Sequence, residues 1–155
     1  MYVYQHIIFG ILFSLVCFLL FPQIGLTGLS LIFLSTVLID VDHYLYYLKK
    51  KKDLGLKNSY NWFTKNTNKF LSLPTKQRDK FYVGFCFLHG IEILAILLLL
   101  TIFSKYFFFI FIGFSFHLLL DITYDTTSIR RIDRFSVAYD FLKFKKLKFI
   151  EDGKR

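Results

Sequence analysis

Segregation of charge constrains this chain more than any other feature. All but one of its 20 Lys and Arg residues fall in two blocks, 49–80 and 130–155, the exception being Lys105. The remainder is apolar in four stretches, roughly 7–21, 26–48, 81–103 and 106–123. A helix needs about 20 mainly apolar residues to cross a hydrocarbon core. The second and third stretches reach that length, whereas the first and fourth are shorter and are expected to be partly covered by their neighbours. Lipid is thus the expected solvent, in keeping with a 55% hydrophobic composition that includes 21 Phe and 10 Tyr. The first stretch lacks a basic leader and a small-residue cleavage site, so it reads as a retained helix rather than a signal peptide.

The fold class expected is all-α: a four-transmembrane-helix bundle over 1–129, including a basic loop at 49–80, followed by a basic amphipathic tail at 130–155. The loop carries ten Lys or Arg against Asp53 and Asp79. By the positive-inside rule the loop and C-terminus are cytoplasmic, and four spans put the N-terminus there too, in a plasma (inner) membrane. In the tail, Phe135, Ala138, Phe141 and Leu142 share a helical face with lysines interleaved, the pattern of a helix lying among headgroups. Lys49–Lys52 reads first as a topological anchor, and otherwise as a site for anionic headgroups. Topology explains the basic residues, so membrane lipid is the expected partner and nucleic acid is not. Tyr44, Tyr46 and Tyr47 read as an interfacial belt, Asp125 as a cap, and Cys17 and Cys86 as small hydrophobes.

All four histidines, His6, His43, His89 and His117, lie in or beside apolar stretches, as do Asp40, Asp42, Glu92 and Asp121. One charge at the bilayer centre costs at least about 2.5–3.5 kcal/mol on insertion scales, so several in one small bundle require mutual compensation. Asp40 and His43, His89 and Glu92, and His117 and Asp121 are spaced three or four apart, which puts each pair on one helical face. Depth agrees. Asp40 stands nine residues before Lys49, His89 nine after Lys80 and Asp121 nine before Arg130. At 1.5 Å per residue all three lie about 13 Å inside the basic border. His6 lies at the same end.

Imidazole with carboxylate suits zinc, iron or manganese. His6, Asp40, His43, His89, Glu92, His117 and Asp121 are the candidate ligands, more than the four a single zinc takes, which allows one or two ions. Asp42 and Glu92 are the candidate catalytic carboxylates. The leading expectation is a membrane-embedded metal-dependent hydrolase. A proton or metal-ion transporter is the first alternative, but it requires polar groups that continue to the outer face, and the outer halves of the stretches are nearly purely apolar. A haem-binding cytochrome calls for paired histidines without carboxylates, and a metal-stabilised scaffold without catalysis stays open.

Read in order, "QHIIFG" (His6), "VLIDVDHYLYY" (Asp40, Asp42, His43), "FLHGIEIL" (His89, Glu92) and "GFSFHLLLDIT" (His117, Asp121) resemble the YdjM-like family of membrane-bound metal-dependent hydrolases. The resemblance covers roughly 6–125. That family is similar to the helical zinc-dependent phospholipase C and nuclease superfamily, which implies a phosphoester substrate and divalent metal, zinc foremost. Many members carry a second His in the third segment; here Glu92 is the candidate substitute.

Overall fold

In the computed structural model, which describes residues 2–151, the protein is mostly helical. Helix α1 (Val3–Leu20) ends at a tight turn over Pro22–Ile24, where Gly25 adopts φ 64° and opens α2 (Gly25–Leu38). There follow α3 (Val41–Lys51), α4 (Leu56–Leu71), the short α5 (Thr75–Arg78), β1 (Phe81–Tyr82), α6 (Ile91–Leu100), α7 (Lys105–Tyr124), α8 (Val137–Phe144) and β2 (Lys148–Phe149). A π-helical turn, Asp125–Ile129, extends α7.

Three helical segments are long and apolar enough to cross a membrane: Val3–Leu20, Pro22–Lys51 and Lys105–Ile129. The expected continuous helix over 81–103 is corrected. Only Ile91–Leu100 is helical there, about 15 Å of rise, half of a ~30 Å core. Upstream the chain is a strand followed by irregular backbone, because Phe81 and Tyr82 pair in parallel with Lys148 and Phe149. The fold is mostly helical, as expected, with that small two-stranded sheet as its one departure among the described residues. The second stretch is also interrupted, with α2 closing at Leu38 and α3 opening at Val41.

Small residues let the long helices approach closely. His6, Gly10 and Ser14 are the buried residues of α1, spaced four apart on one face. A Cβ on Gly10 would sit 3.1 Å from Thr36 Cγ2 of α2, and one on Gly113 of α7 would overlap Ser35 Oγ and Ile32 O. Where lipid is as apolar as Leu, such stripes rather than hydrophobic burial bring helices together. The larger apolar residues instead face outward: Leu19, Ile102 and Phe103 are 75–81% exposed.

The basic segments fold into a cap at one end of the bundle. Phe70, Ile129 and Ile150 form its core, with Leu73, Phe81, Val83 and Tyr124 packed around them. Arg78 and Arg131 tie it together by donating to main-chain oxygens, Arg78 to Leu71 and Leu73, Arg131 to Phe81.

Candidate metal centre

The interruption after α2 positions the first ligand. Around Ile39 and Asp40 the hydrogen bonds tighten to i→i+3, with Asp40 N bonding Val37 O and His43 N bonding Asp40 O. In a regular helix Asp40 N would bond Thr36 O. That carbonyl instead accepts from His117 Nδ1 at 2.7 Å. A carbonyl can only accept, so the proton of His117 is on Nδ1 and the Nε2 lone pair faces inward.

His89 is fixed in the same manner. Its Nδ1 donates to Asp42 Oδ2 at 2.9 Å, and the same oxygen accepts from Leu88 N at 2.9 Å. The Nε2 atoms of His89 and His117 therefore meet at 3.0 Å. Asp121 Oδ2 lies 3.4 Å from the first and 3.5 Å from the second. Asp40 Oδ1 lies 3.5 and 3.7 Å from the same two nitrogens. His6 stacks on the His117 ring with centroids 3.9 Å apart, and its Nε2 is 3.3 Å from Asp121 Oδ1. His6, Asp42, His89, His117, Asp121 and Asp125 have no solvent exposure.

The structure thus brings together His6, Asp40, His89, His117 and Asp121, and it sets Asp42 and His43 beside them. His89, His117 and Asp121 can hold a metal ion with ligand atoms all within 4.8 Å of one another, and so can His6, Asp40 and His117. The residues fit such an ion. Both ring nitrogens of His6 and Asp40 Oδ2 are buried without a hydrogen-bond partner, and buried polar atoms left in that state are rare without an ion or water to satisfy them.

Asp42 is placed to orient the imidazoles, its Oδ2 accepting from His89 Nδ1 and its Oδ1 from His43 Nδ1. Carboxylate–histidine pairs of this kind fix the tautomer and raise the basicity of the ligand.

Glu92 is corrected. His89 precedes α6, so the two do not share a helical face. Glu92 instead accepts from Ser136 Oγ at 2.6 Å, Val137 N at 3.0 Å and Ala138 N at 3.2 Å. It satisfies the first amides of α8, which a helix cannot satisfy internally, and joins the tail to α6.

Two members of the neighbourhood were not among the sequence candidates. Arg134 reaches in from the cap to Asp121 Oδ2 at 3.2 Å and pairs closely with Asp125 Oδ1. Burial works against its charge, but Asp121 and Asp125 hold the guanidinium firmly protonated. The available signal was Asp121 near the end of α7 and Asp125 four residues on, at the start of the π-helical turn, two acids that require a cation when buried. Cys86, in the irregular stretch before α6, lies 3.4 Å from His43 Nε2. Asp40, His43, Cys86 and Arg134 line a cavity of 340 Å³ whose other walls include Tyr60 and Phe63 of α4.

Comparison with family models, with curated proteins and with solved structures finds no match to this chain.

Proposed function

We propose that the protein is a membrane-embedded metal-dependent hydrolase acting on a phosphoester at headgroup level. The observation that carries the reading is the meeting of two oriented imidazole nitrogens, His89 Nε2 and His117 Nε2, at 3.0 Å between two aspartates. A single shared positive centre, either the proton of an N–H···N hydrogen bond or a metal ion, satisfies both nitrogens, and the flanking aspartates favour it.

His6, Asp40, His89, His117 and Asp121 would hold the ion, zinc foremost by donor type, with manganese or iron as substitutes. A bound divalent cation supplies a water of lowered pKa and polarises a phosphoryl oxygen. The chain's own contribution is positional. Asp42 and Thr36 O aim the two imidazoles, and Arg134 balances the buried acids. The cavity beside Asp40 and His43 is walled mainly by aromatic and aliphatic side chains, a surface suited to an amphiphile whose chains remain in lipid.

In this reading three long helices and the segment around α6 traverse a plasma (inner) membrane, with both termini and the basic cap in the cytoplasm. The irregular residues before α6 are tolerated at depth because protein groups such as Asp42 satisfy their amides. Lys and Arg of the cap, with the exposed Tyr139, Phe141 and Leu142 of α8, would meet anionic headgroups. The resemblance to the YdjM-like hydrolases points the same way.

Elemental analysis of detergent-purified protein, beside His117→Ala and Asp121→Asn, tests the reading together with turnover of a micellar phosphoester. Stoichiometric metal in the wild type, and loss of both metal and turnover in the variants, is expected. Normal turnover by a metal-free variant would remove it.

A further inference from the structure

We infer that the centre is built for two cations, and that the thiol of Cys86 supplies a ligand to the second, together with His43. This rests on the metal-centre reading above and adds a site to it.

The first site does not need these residues. His6, Asp40, His89, His117 and Asp121 already offer five donors, one more than a tetrahedral ion takes. His43 and Cys86 make a separate set. The Nδ1 of His43 donates to Asp42 Oδ1 at 2.8 Å, leaving Nε2 to face Cys86 Sγ at 3.4 Å. With metal–nitrogen and metal–sulfur bonds of about 2.0 and 2.3 Å and a tetrahedral angle, two ligands of one ion stand about 3.5 Å apart. Asp42, His43, Cys86 and His89 also form a group whose ligand atoms all lie within 4.8 Å of one another.

Asp40 stands between the two sets. Its Oδ1 is 3.4 Å from His43 Nδ1 and 3.5 Å from His89 Nε2, and its Oδ2 has no hydrogen-bond partner although the side chain is only 10% exposed. A carboxylate so placed suits a bridge between neighbouring ions.

Charge supports the count. Asp40, Asp42, Asp121 and Asp125 carry four negative charges when ionised, and Arg134 compensates one of them. A single divalent cation leaves the cluster negative. A second cation, together with a Cys86 thiolate, brings it to neutrality with all imidazoles uncharged. Asp133, the next acid, is paired separately with Arg131 and Lys143. Binding converts the Cys86 S–H into a sulfur–cation bond and releases one proton to solvent.

Access separates the two positions. Asp40, His43 and Cys86 line the cavity, whereas His6, His89, His117 and Asp121 do not. The second ion is therefore the one a substrate would meet.

Full-length protein in detergent, stripped of metal and titrated with cobalt(II), provides the test. Expected are two cobalt ions per chain and a near-ultraviolet thiolate-to-cobalt charge-transfer band. Cys86→Ser should abolish the band and reduce binding from two ions to one, while Cys17→Ser should keep both ions and the band. One ion with no band in the wild type overturns the inference and leaves the deep site standing. So does a band that survives Cys86→Ser or disappears in Cys17→Ser. Absence of any cobalt binding by the wild type removes both the inference and the metal-centre reading.

Discussion

Asp42 accepts from His89 Nδ1 at 2.9 Å across 47 residues of chain, using the oxygen that also receives Leu88 N. One carboxylate on α3 thus sets both the ring orientation and the backbone of the irregular segment that carries the ring. Asp42→Ala should weaken divalent metal binding roughly 10–100-fold while leaving the ligands themselves in place. Competition with a coloured chelator measures this, and an unchanged affinity would show that His89 is oriented by other means.

Glu92 gives a contrasting expectation. Glu92→Gln should leave metal content at the wild-type value, since its oxygens face Ser136, Val137 and Ala138. The amides of α8 should instead lose protection against hydrogen exchange, by roughly 10- to 150-fold for a charged hydrogen bond worth about 1.5–3 kcal/mol. Parallel loss of metal in this variant and in His117→Ala would return Glu92 to the centre.

Arg134→Leu leaves Asp121 and Asp125 buried beside no guanidinium. Breaking a buried pair by removing one partner typically costs about 3–5 kcal/mol, which for a chain of this size corresponds to a Tm lower by roughly 6–20 °C. The fall should be smaller in metal-loaded protein, where the cation takes over part of the compensation. A thermal melt that is unchanged in metal-free protein would refute the clamp.

Asp140 makes the stability of the cap depend on pH. It is buried, with Oδ1 lacking a hydrogen-bond partner. Burial first, and then the charges of Asp133 and Asp125, push its carboxyl from 3.8 up to about 7, against the opposing pull of Lys143 and Arg134. The folded state therefore binds this proton more tightly than the unfolded chain does. The resulting stabilisation is complete below 3.8 and is lost as the pH rises through about 7. Asp140→Asn, neutral throughout, should match the wild type near pH 4 and melt higher above about pH 8. Fluorescence of Trp62, stacked on Phe149 of the cap, follows the transition, and identical pH profiles would count against it.

The convergence of Asp40, His89, His117 and Asp121 is legible in the sequence because it obeys two simple geometries. His117 and Asp121 are an i, i+4 pair on an unbroken helix, and Asp40, His89 and Asp121 sit at one depth below the basic border. What was not legible depends on backbone that is not helical. A hydropathy window registers that 81–103 is apolar, but composition does not reveal that Phe81 and Tyr82 pair with a strand 67 residues later. The alternation of Phe81, Val83, Phe85 and Phe87, broken by Gly84, was the available hint of extended structure. Once that segment is extended, Glu92 turns away from His89, and Cys86 turns toward His43. Arg134 could not be singled out among the basic residues of the tail, since its partners are fixed by tertiary packing and no spacing rule connects a loop to a helix face.

The parallel pairing of Phe81 and Tyr82 with Lys148 and Phe149 also sets an order of events during synthesis. The segment bearing Cys86 and His89 is held on one side by Asp42, already made, and on the other by residues 134–150, not yet translated when that segment leaves the ribosome. Its apolar half must wait, without its β partner or the Glu92 contacts to α8, until α8 and β2 emerge. On the metal-centre reading, closure around His89 is thereby deferred until residues 134–150 are made, so a nascent chain would not capture a cation before the bundle around it is closed.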